Sequence, residues 1–389
     1  MATKPDASRS RTWRRFVRVR WLLGLLAVAA VVLTLVYSSW VSAQAAGLVV
    51  LSRTANVPVV SWFVGVVTDE PRVEQTTVAG VPATVVRPGS GHRWPAVVFV
   101  TGVTRRGRLH PKVQRLARAL ARTGDLVLVP DLPGMRSGEV TTRTVAAMIA
   151  VSHAAIDRPD ARGGRVALLG VSVGATLCLL SAEDPSLRDN VTVVAGIAPY
   201  VDLREVVRLV TTGSYRDRGR LLRYRTKPFA ALVVARSLAS ALPGGRGRRI
   251  LLRRLQAVPD DATDPLAVVR RQRGQHGGVR ALARLLANRA AARFDRLYAR
   301  LPRRVREHAE RLSPLAAAAR LRAPVLLASA PHDKYFPPAE ALALARAAPR
   351  VQVTITPTLQ HAVPKLSLND LGGLFRFDAF LVRVLKAAR

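Results

Sequence analysis

The segment Gly170-Val171-Ser172-Val173-Gly174 places a serine between an apolar run and a helix-forming run. Residues 166–169, which precede it, are typical of a buried strand, and residues 175–180 favour a helix. A strand that turns sharply into a helix at a serine exposes the hydroxyl group, and the flanking glycines let the backbones pass closely. The segment therefore predicts a tight strand-turn-helix unit that suits nucleophilic chemistry at Ser172.

Further apolar runs alternate with helical patterns along the chain. Predicted strands cover residues 74–78, 82–87, 96–100, 126–130, 165–169, 191–198, 323–328 and 351–355, and predicted helices cover 111–123, 144–156 and 370–385. The first two strands have the pattern of a hairpin, and strands separated by helices indicate a parallel sheet. The sequence thus predicts an α/β fold with a mostly parallel central sheet, helices on both faces and active residues at the carboxyl ends of the strands.

Residues 203–312 interrupt this alternation. They are mostly helical in pattern, lack a convincing buried strand, and carry 26 arginines and one lysine against eight acidic residues. An insertion of this size between two core strands is interpreted as an Arg-rich helical cap that roofs the pocket, and residues 203–312 are called the cap below. The core is expected to comprise residues 74–202 and 313–389.

The N-terminal region carries a membrane signal. Residues 1–20 form a basic tail, and residues 21–43 are uncharged and long enough to span a bilayer as a helix. The positive-inside rule predicts a single-pass signal anchor with residues 44–73 beside the membrane and the catalytic domain outside the cytoplasm. The alternative is a secreted protein, because Ser42-Ala43-Gln44-Ala45-Ala46 resembles a signal-peptide cleavage site.

The formal net charge of +36 first suggests a polyanionic partner. Only six of the 61 basic residues are lysine, and an excess of arginine and alanine is also what GC-rich codons produce. No nucleic-acid-binding motif accompanies the charge, so nucleic-acid binding is not expected. The single cysteine, Cys178, excludes an intramolecular disulfide and a cysteine metal cluster. With no cofactor fingerprint in the sequence, neither a cofactor nor a metal is expected.

The element order, the Ser172 turn and the insertion together resemble the α/β-hydrolase superfamily over residues 74–389, apart from most of the cap. The segment Pro331-His332-Asp333-Lys334-Tyr335-Phe336-Pro337-Pro338 looks like the acid loop of that family, and Leu359-Gln360-His361-Ala362 follows the last strand. The resemblance implies a triad of Ser172, Asp333 and His361, in the family's chain order of serine, acid and histidine. Asp202, just after the sixth strand, is the alternative acid.

The resemblance also implies an oxyanion hole, formed by the backbone N–H of Val173 and of a residue in the loop after the third strand, here Val103. His332 lies too early in the chain to be the base. His92, His110, His153, His276 and His308 do not follow strands and are expected to be surface or loop residues.

These features predict a membrane-anchored serine hydrolase that cleaves a carboxylic ester of a small-molecule or lipid-like substrate through an acyl-enzyme. The alternatives are an acyltransferase with the same triad and a non-catalytic, hydrolase-like binding module. Beside a membrane, the arginines of the cap are expected to contact anionic lipid or an acidic substrate.

Overall fold

The computed structural model describes residues 69–271, 276–361, 363–364 and 371–389. The predicted anchor, residues 21–43, lies outside these residues, as do the basic tail and most of the juxtamembrane segment. Within the described ranges, no helix has both the length and the apolar character needed to cross a bilayer.

The centre of the fold is an eight-stranded sheet with the order β1-β2-β4-β3-β5-β6-β9-β10. Strand β2 pairs antiparallel with β1 and β4, and every other neighbouring pair in this sheet is parallel. The strands are β1 Arg72–Val78, β2 Val81–Arg87, β3 Trp94–Val100, β4 Leu126–Pro130, β5 Ala161–Val171, β6 Val191–Ile197, β7 Ser214–Asp217, β8 Arg220–Arg223, β9 Val325–Ser329, β10 Val351–Ile355, β11 Leu359–Gln360 and β12 Val363–Pro364.

Helices follow the strands on both faces of the sheet. They are α1 Pro111–Arg122, α2 Thr142–Ile156, α3 Val173–Ala182, α4 Leu203–Thr212, α5 Pro228–Ser240, α6 Arg246–Gln256, α7 Ala267–Arg270, α8 Gly277–Leu286, α9 Ala291–Ala299, α10 Arg303–Arg311, α11 Ala339–Ala347 and α12 Leu371–Ala388. Two 3₁₀ helices cover Gly107–Leu109 and Pro314–Arg320.

Connection handedness decides which face each helix covers. The chain steps from β3 to β4 in one direction and from β4 to β5 in the other, so right-handed crossovers put α1 and α2 on opposite faces. Buried residues of α2, α3 and α11 pack in one cluster with Val98 and Leu168 of the sheet. Helix α12 lines the same cavity as α1, on the other face.

The sequence located all eight strands of the sheet. Most of them are marked by apolar residues, and the polar strand β1 was recognised from its hairpin pattern with β2. Strand β5 is longer than predicted, covering 11 residues rather than 165–169, and α2 begins at Thr142. The reason for the earlier helix start is local: Thr141 and Thr144 form a reciprocal capping box. Helix α12 extends to Ala388 instead of ending at residue 385.

The cap residues form helices α4 to α10 and one short hairpin, β7–β8, which the sequence did not predict. All four residues of β8 are exposed or half-buried, so the hairpin carries no apolar run that would identify it. Inside the cap, the buried Arg208 side chain bonds Glu205 and Asp295 and lies 4.2 Å from the ring centre of Phe294.

Both ends of the cap are fastened together. The backbone N–H of Leu203 donates to Ser313 Oγ at 2.9 Å, and the N–H of Leu315 donates to the Val201 carbonyl at 3.0 Å. The cap therefore enters and leaves the core at one point, between the neighbouring strands β6 and β9.

Candidate active site

Ser172 lies in a strained turn between β5 and α3. Its φ of 55° and ψ of −126° are backbone angles that residues with a side chain rarely adopt. The Ser172 N–H donates to the Ile197 carbonyl at 2.7 Å, which ties the turn to the end of β6. Such strain persists only where the surrounding structure enforces it, and it is common at active sites.

Three glycines allow this turn to pack against its neighbours. A Cβ on Gly174 would collide with the carbonyl oxygens of Val100 and Thr101, and one on Gly170 would lie 2.5 Å from Ala175 N. Gly102, in the loop after β3, comes so close that a Cβ there would be 3.3 Å from Ser172 Cβ. The small residues around the serine are therefore required by backbone contact, as the sequence pattern predicts.

Asp333 and His361 are in direct contact. His361 Nδ1 lies 2.9 Å from both carboxylate oxygens of Asp333, although the two residues are 28 positions apart in sequence. Asp333 Oδ1 also accepts from the backbone N–H groups of Tyr335 at 2.8 Å and Phe336 at 3.1 Å. The Asp333 side chain is fully buried, so these bonds hold its carboxylate in one orientation.

Ser172 and His361 line one cavity of about 450 Å³ at the carboxyl ends of the strands. Among the described residues no hydrogen bond joins Ser172 Oγ to the imidazole, a separation common in catalytic sites without substrate. The structure thus brings Asp333 and His361 into direct contact, and Ser172 and His361 line the same cavity. The aromatic ring of Tyr335 packs on His361 with ring centres 4.5 Å apart.

Val173 and Val103 also line this cavity. Val173 is the first residue of α3, where the backbone N–H has no acceptor within its own helix. In the described part of the chain, the N–H of Val103 likewise donates to no protein acceptor. Both predicted oxyanion donors are therefore available at the cavity that holds Ser172.

The alternative acid, Asp202, has a different place. Its Oδ1 accepts from the N–H groups of Arg204 and Glu205, so it is the N-cap of α4. Burial raises the pKa of the Asp202 carboxyl from its ordinary value. The carboxylate bonded to His361 is that of Asp333.

The remaining histidines divide into exposed and structural residues. His92, His276 and His332 are exposed, His153 bonds Ser186 Oγ at 2.9 Å, and His110 caps α1 by accepting from Lys112 N. The expectation that His308 is a surface or loop residue is wrong. It lies inside α10 with 9% of its surface exposed, because that helix packs against the core of the cap, and burial lowers its pKa.

The contacts that the cap makes with the acid loop were not predicted from the sequence. Tyr224 Oη donates to the Asp333 carbonyl at 2.5 Å, Thr226 Oγ1 donates to the Tyr335 carbonyl at 2.8 Å, and Lys227 N–H donates to the Lys334 carbonyl at 2.8 Å. These three cap residues are called the cap clamp. They are more than 100 positions from the loop they bind, and no local pattern reports such a contact.

Cys178 is buried in α3, and burial raises the pKa of its thiol, so it is an inert packing residue. Asp131, after β4, accepts from the backbone and side chain of Arg108, which makes its loop structural. Across the described residues, no group of three or more His, Cys, Asp or Glu side chains is arranged to hold a metal ion.

The family profile described as the alpha/beta hydrolase fold matches residues 95–365, more than half of the chain. The chain belongs to the alpha/beta hydrolase fold family. The resemblance seen in the sequence is thereby confirmed, as are the mostly parallel sheet and the helices around it. No curated protein matches the chain.

Several solved structures are similar to the chain at low identity. Est1E from Butyrivibrio proteoclasticus is 11% identical with a TM-score of 0.45, and the match covers 81% of this chain and 99% of Est1E. An esterase of Pyrococcus furiosus is 12% identical with a TM-score of 0.44, covering 82% and 91%. The acylaminoacyl peptidase of Pyrococcus horikoshii is 14% identical with a TM-score of 0.41, covering 76% of this chain but only 38% of the peptidase.

Proposed function

We propose that this alpha/beta hydrolase is a serine hydrolase that cleaves carboxylic esters, with Ser172 as nucleophile, His361 as base and Asp333 as the orienting acid. One observation carries the proposal. The buried Asp333 carboxylate lies 2.9 Å from His361 Nδ1, within hydrogen-bond distance, and His361 lines the same cavity as the strained Ser172. A structural carboxylate has no need to fix an imidazole beside a serine in this way.

The chemistry follows from these placements. Ser172 Oγ attacks the ester carbonyl carbon while His361 Nε2 takes the hydroxyl proton, and Asp333 stabilises the imidazolium. The carbonyl oxygen becomes an oxyanion that the N–H groups of Val173 and Val103 stabilise. Collapse breaks the ester C–O bond, and His361 returns the proton to the leaving alcohol. Water then attacks the acyl-enzyme by the same path and releases the acid.

Covalent labelling with a fluorophosphonate tests the nucleophile. The wild-type protein should lose fluoride and carry the phosphonyl group on Ser172, the Ser172→Ala variant should not be labelled, and the exposed Ser137→Ala control should label normally. A wild-type protein that is neither labelled nor active on p-nitrophenyl esters would favour the non-catalytic module. Ester products formed with added alcohol, in place of free acid, would identify an acyltransferase.

We also propose that residues 21–43 anchor the chain in a membrane with the hydrolase domain outside the cytoplasm. Support comes from the uncharged stretch and its basic flank. Membrane fractionation with N-terminal sequencing tests this: the anchored protein sediments with membranes and retains its first 43 residues. A soluble mature protein that begins near residue 44 would make the segment a cleaved signal peptide.

The arginines of the cap support a further part of the proposal, contact with anionic lipid. Helices α6, α8 and α9 expose arginine side chains that form no ion pair within the described residues: Arg246, Arg249, Arg253, Arg254, Arg280, Arg284, Arg293 and Arg296. Arg300, which directly follows α9, is exposed in the same way. Each basic residue near an anionic surface contributes about 1 kcal/mol of binding energy. The protein without residues 1–46 should bind phosphatidylglycerol vesicles more tightly than phosphatidylcholine vesicles, and added salt should release it. Binding that is indifferent to both would exclude lipid contact.

A further inference from the structure

The side chains that line the cavity at Ser172 fall into two groups, and the space beside each group is called an arm below. One, the cap arm, lies under α5 and is lined by Phe229, Ala230, Val233 and Val234. The other, the α1–α12 arm, is lined by Phe99 and Leu169 of the sheet, Val113, Leu116 and Leu120 of α1, and Phe377, Phe380, Leu381, Val384 and Leu385 of α12. The second arm therefore extends over the face of the sheet opposite to α3.

The lining positions set the length of the α1–α12 arm. Val113 and Leu120 are seven residues apart on α1, as are Phe377 and Val384 on α12. Seven helical residues rise about 10 Å. An extended chain gains about 1.2 Å per bond, so this length matches roughly eight carbons.

The chemistry of this arm is apolar. Its sheet, α1 and α12 side chains are all hydrocarbon, and the described lining of the whole cavity contains no carboxylate. The basic side chains of the lining are His110, Lys112 and Arg115, at the beginning of α1, and His361. Lys112 and Arg115 are exposed, so the charge lies at the solvent end of the arm, and the lining beyond them on α1, Leu116 and Leu120, is uncharged.

The two arms differ in their relation to His361. The imidazole packs against Tyr335, and the cap clamp reaches the Tyr335 carbonyl through Thr226. The alcohol that takes its proton from His361 therefore departs beside the cap. The acyl group stays on Ser172 while the alcohol leaves, so the α1–α12 arm is the space that remains for it.

We propose that the α1–α12 arm binds the unbranched, apolar acyl chain of the ester, of about eight carbons. This rests on the proposed ester hydrolysis. Each methylene buried in such an arm increases affinity about fourfold. Octanoyl esters should therefore bind and react at least tenfold better than acetyl esters of the same alcohol.

The test compares p-nitrophenyl octanoate with p-nitrophenyl acetate by kcat/KM, in the wild type and in Leu116→Trp, which fills the arm. We expect the octanoate-to-acetate ratio to fall at least tenfold in Leu116→Trp. Leu381→Trp fills the same arm from α12 and serves if the first variant does not fold. Arg118→Trp, on the exposed side of α1, is the matched control and should keep the wild-type ratio.

Binding to Ser172→Ala, measured by calorimetry, separates this inference from the proposed function. One outcome would support the acyl-chain site and contradict the hydrolase proposal. In it, the wild type hydrolyses neither ester, Ser172→Ala binds the octanoate ester more tightly than the acetate ester, and adding Leu116→Trp removes this difference. Hydrolysis with no preference for octanoate, or a preference that both tryptophan variants retain, would overturn the arm alone. Equal binding of both esters to Ser172→Ala would overturn it as well.

Discussion

The Asp333 carboxylate has several hydrogen-bond partners in the site. It accepts hydrogen bonds from two backbone N–H groups and is hydrogen-bonded to His361 Nδ1. Substitution by asparagine separates the role of these backbone bonds from the role of the bond to the imidazole. Asparagine still accepts from the backbone but presents N–H to the imidazole, which favours the wrong tautomer. In enzymes with such a triad this costs about 10⁴ in kcat.

Asp333→Asn is therefore expected to lower kcat for ester hydrolysis by about 10⁴ while the urea unfolding midpoint changes little. Steady-state kinetics and equilibrium unfolding measure the two effects. Asp202→Asn is the control, because asparagine caps a helix as well as aspartate does and should leave kcat intact. A large loss in Asp202→Asn with little loss in Asp333→Asn would move the acid to Asp202.

Glu340 is a buried acid at the start of α11 that takes no part in the proposed chemistry. Its Oε2 accepts from the N–H groups of Val201 at 2.7 Å and Asp202 at 3.1 Å, yet burial raises its pKa from 4.5 to about 8. The folded protein thus keeps a proton that the unfolded chain releases. Its contribution to stability is complete below pH 4.5 and is lost as pH rises to about 8.

Glu340→Gln should flatten this dependence, because the amide oxygen still accepts both bonds and does not titrate. The wild-type free energy of unfolding should fall by at most about 1.4 kcal/mol per pH unit from this group. Urea unfolding at several pH values between 5 and 8 checks the slope, with the exposed Glu310→Gln as control. Parallel curves for wild type and Glu340→Gln would contradict the assignment.

At the scale of elements, the contact between the start of α3 and the end of β3 has no spare room. Gly174→Ala would drive a Cβ into the Val100 and Thr101 carbonyls, which are backbone atoms that cannot rotate away. We expect a loss of about 3 kcal/mol in the free energy of unfolding, together with loss of activity. Gly372→Ala in α12 meets nothing within 4 Å and should be neutral or stabilising. Equal stability of the two variants would disprove this packing.

The sequence could predict those elements whose pattern is contained in a few neighbouring residues. Apart from the polar β1, which was recognised from its hairpin pattern, the strands of the central sheet are marked by apolar residues. The Ser172 turn, the Asp333 loop and His361 each follow a strand, which is where the sequence predicted them. The hairpin β7–β8 was not predicted, because its strands are polar and its turn uses Arg218 and Gly219, both at positive φ, rather than Asn-Gly or Asp-Gly. The buried places of Arg208 and His308 depend on contacts between distant helices.

At the scale of the whole molecule, the cap clamp couples the cap to the acid loop that carries Asp333. Tyr224→Phe removes the hydroxyl that donates to the Asp333 carbonyl, a bond worth about 1 kcal/mol. We expect kcat to fall up to tenfold with little change in KM for a short ester. Tyr215→Phe is the control, because the ring of Tyr215 packs on Tyr224 at 5.9 Å and its hydroxyl does not reach the acid loop. Equal kcat of Tyr224→Phe and the wild type would show that this bond of the cap clamp does not affect catalysis.

The joined ends of the cap have a consequence for how such a protein changes over time. Leu203, at the start of α4, and Ser313, just before the second 3₁₀ helix, are hydrogen-bonded to each other, so the 110 residues of the cap begin and end at one place. Insertions at such a point are well tolerated, because a change in the length of the inserted piece does not separate its two ends in the core. Evolution can therefore replace the cap and change which substrates reach the site, while the serine, the histidine and the strands that support them keep their positions.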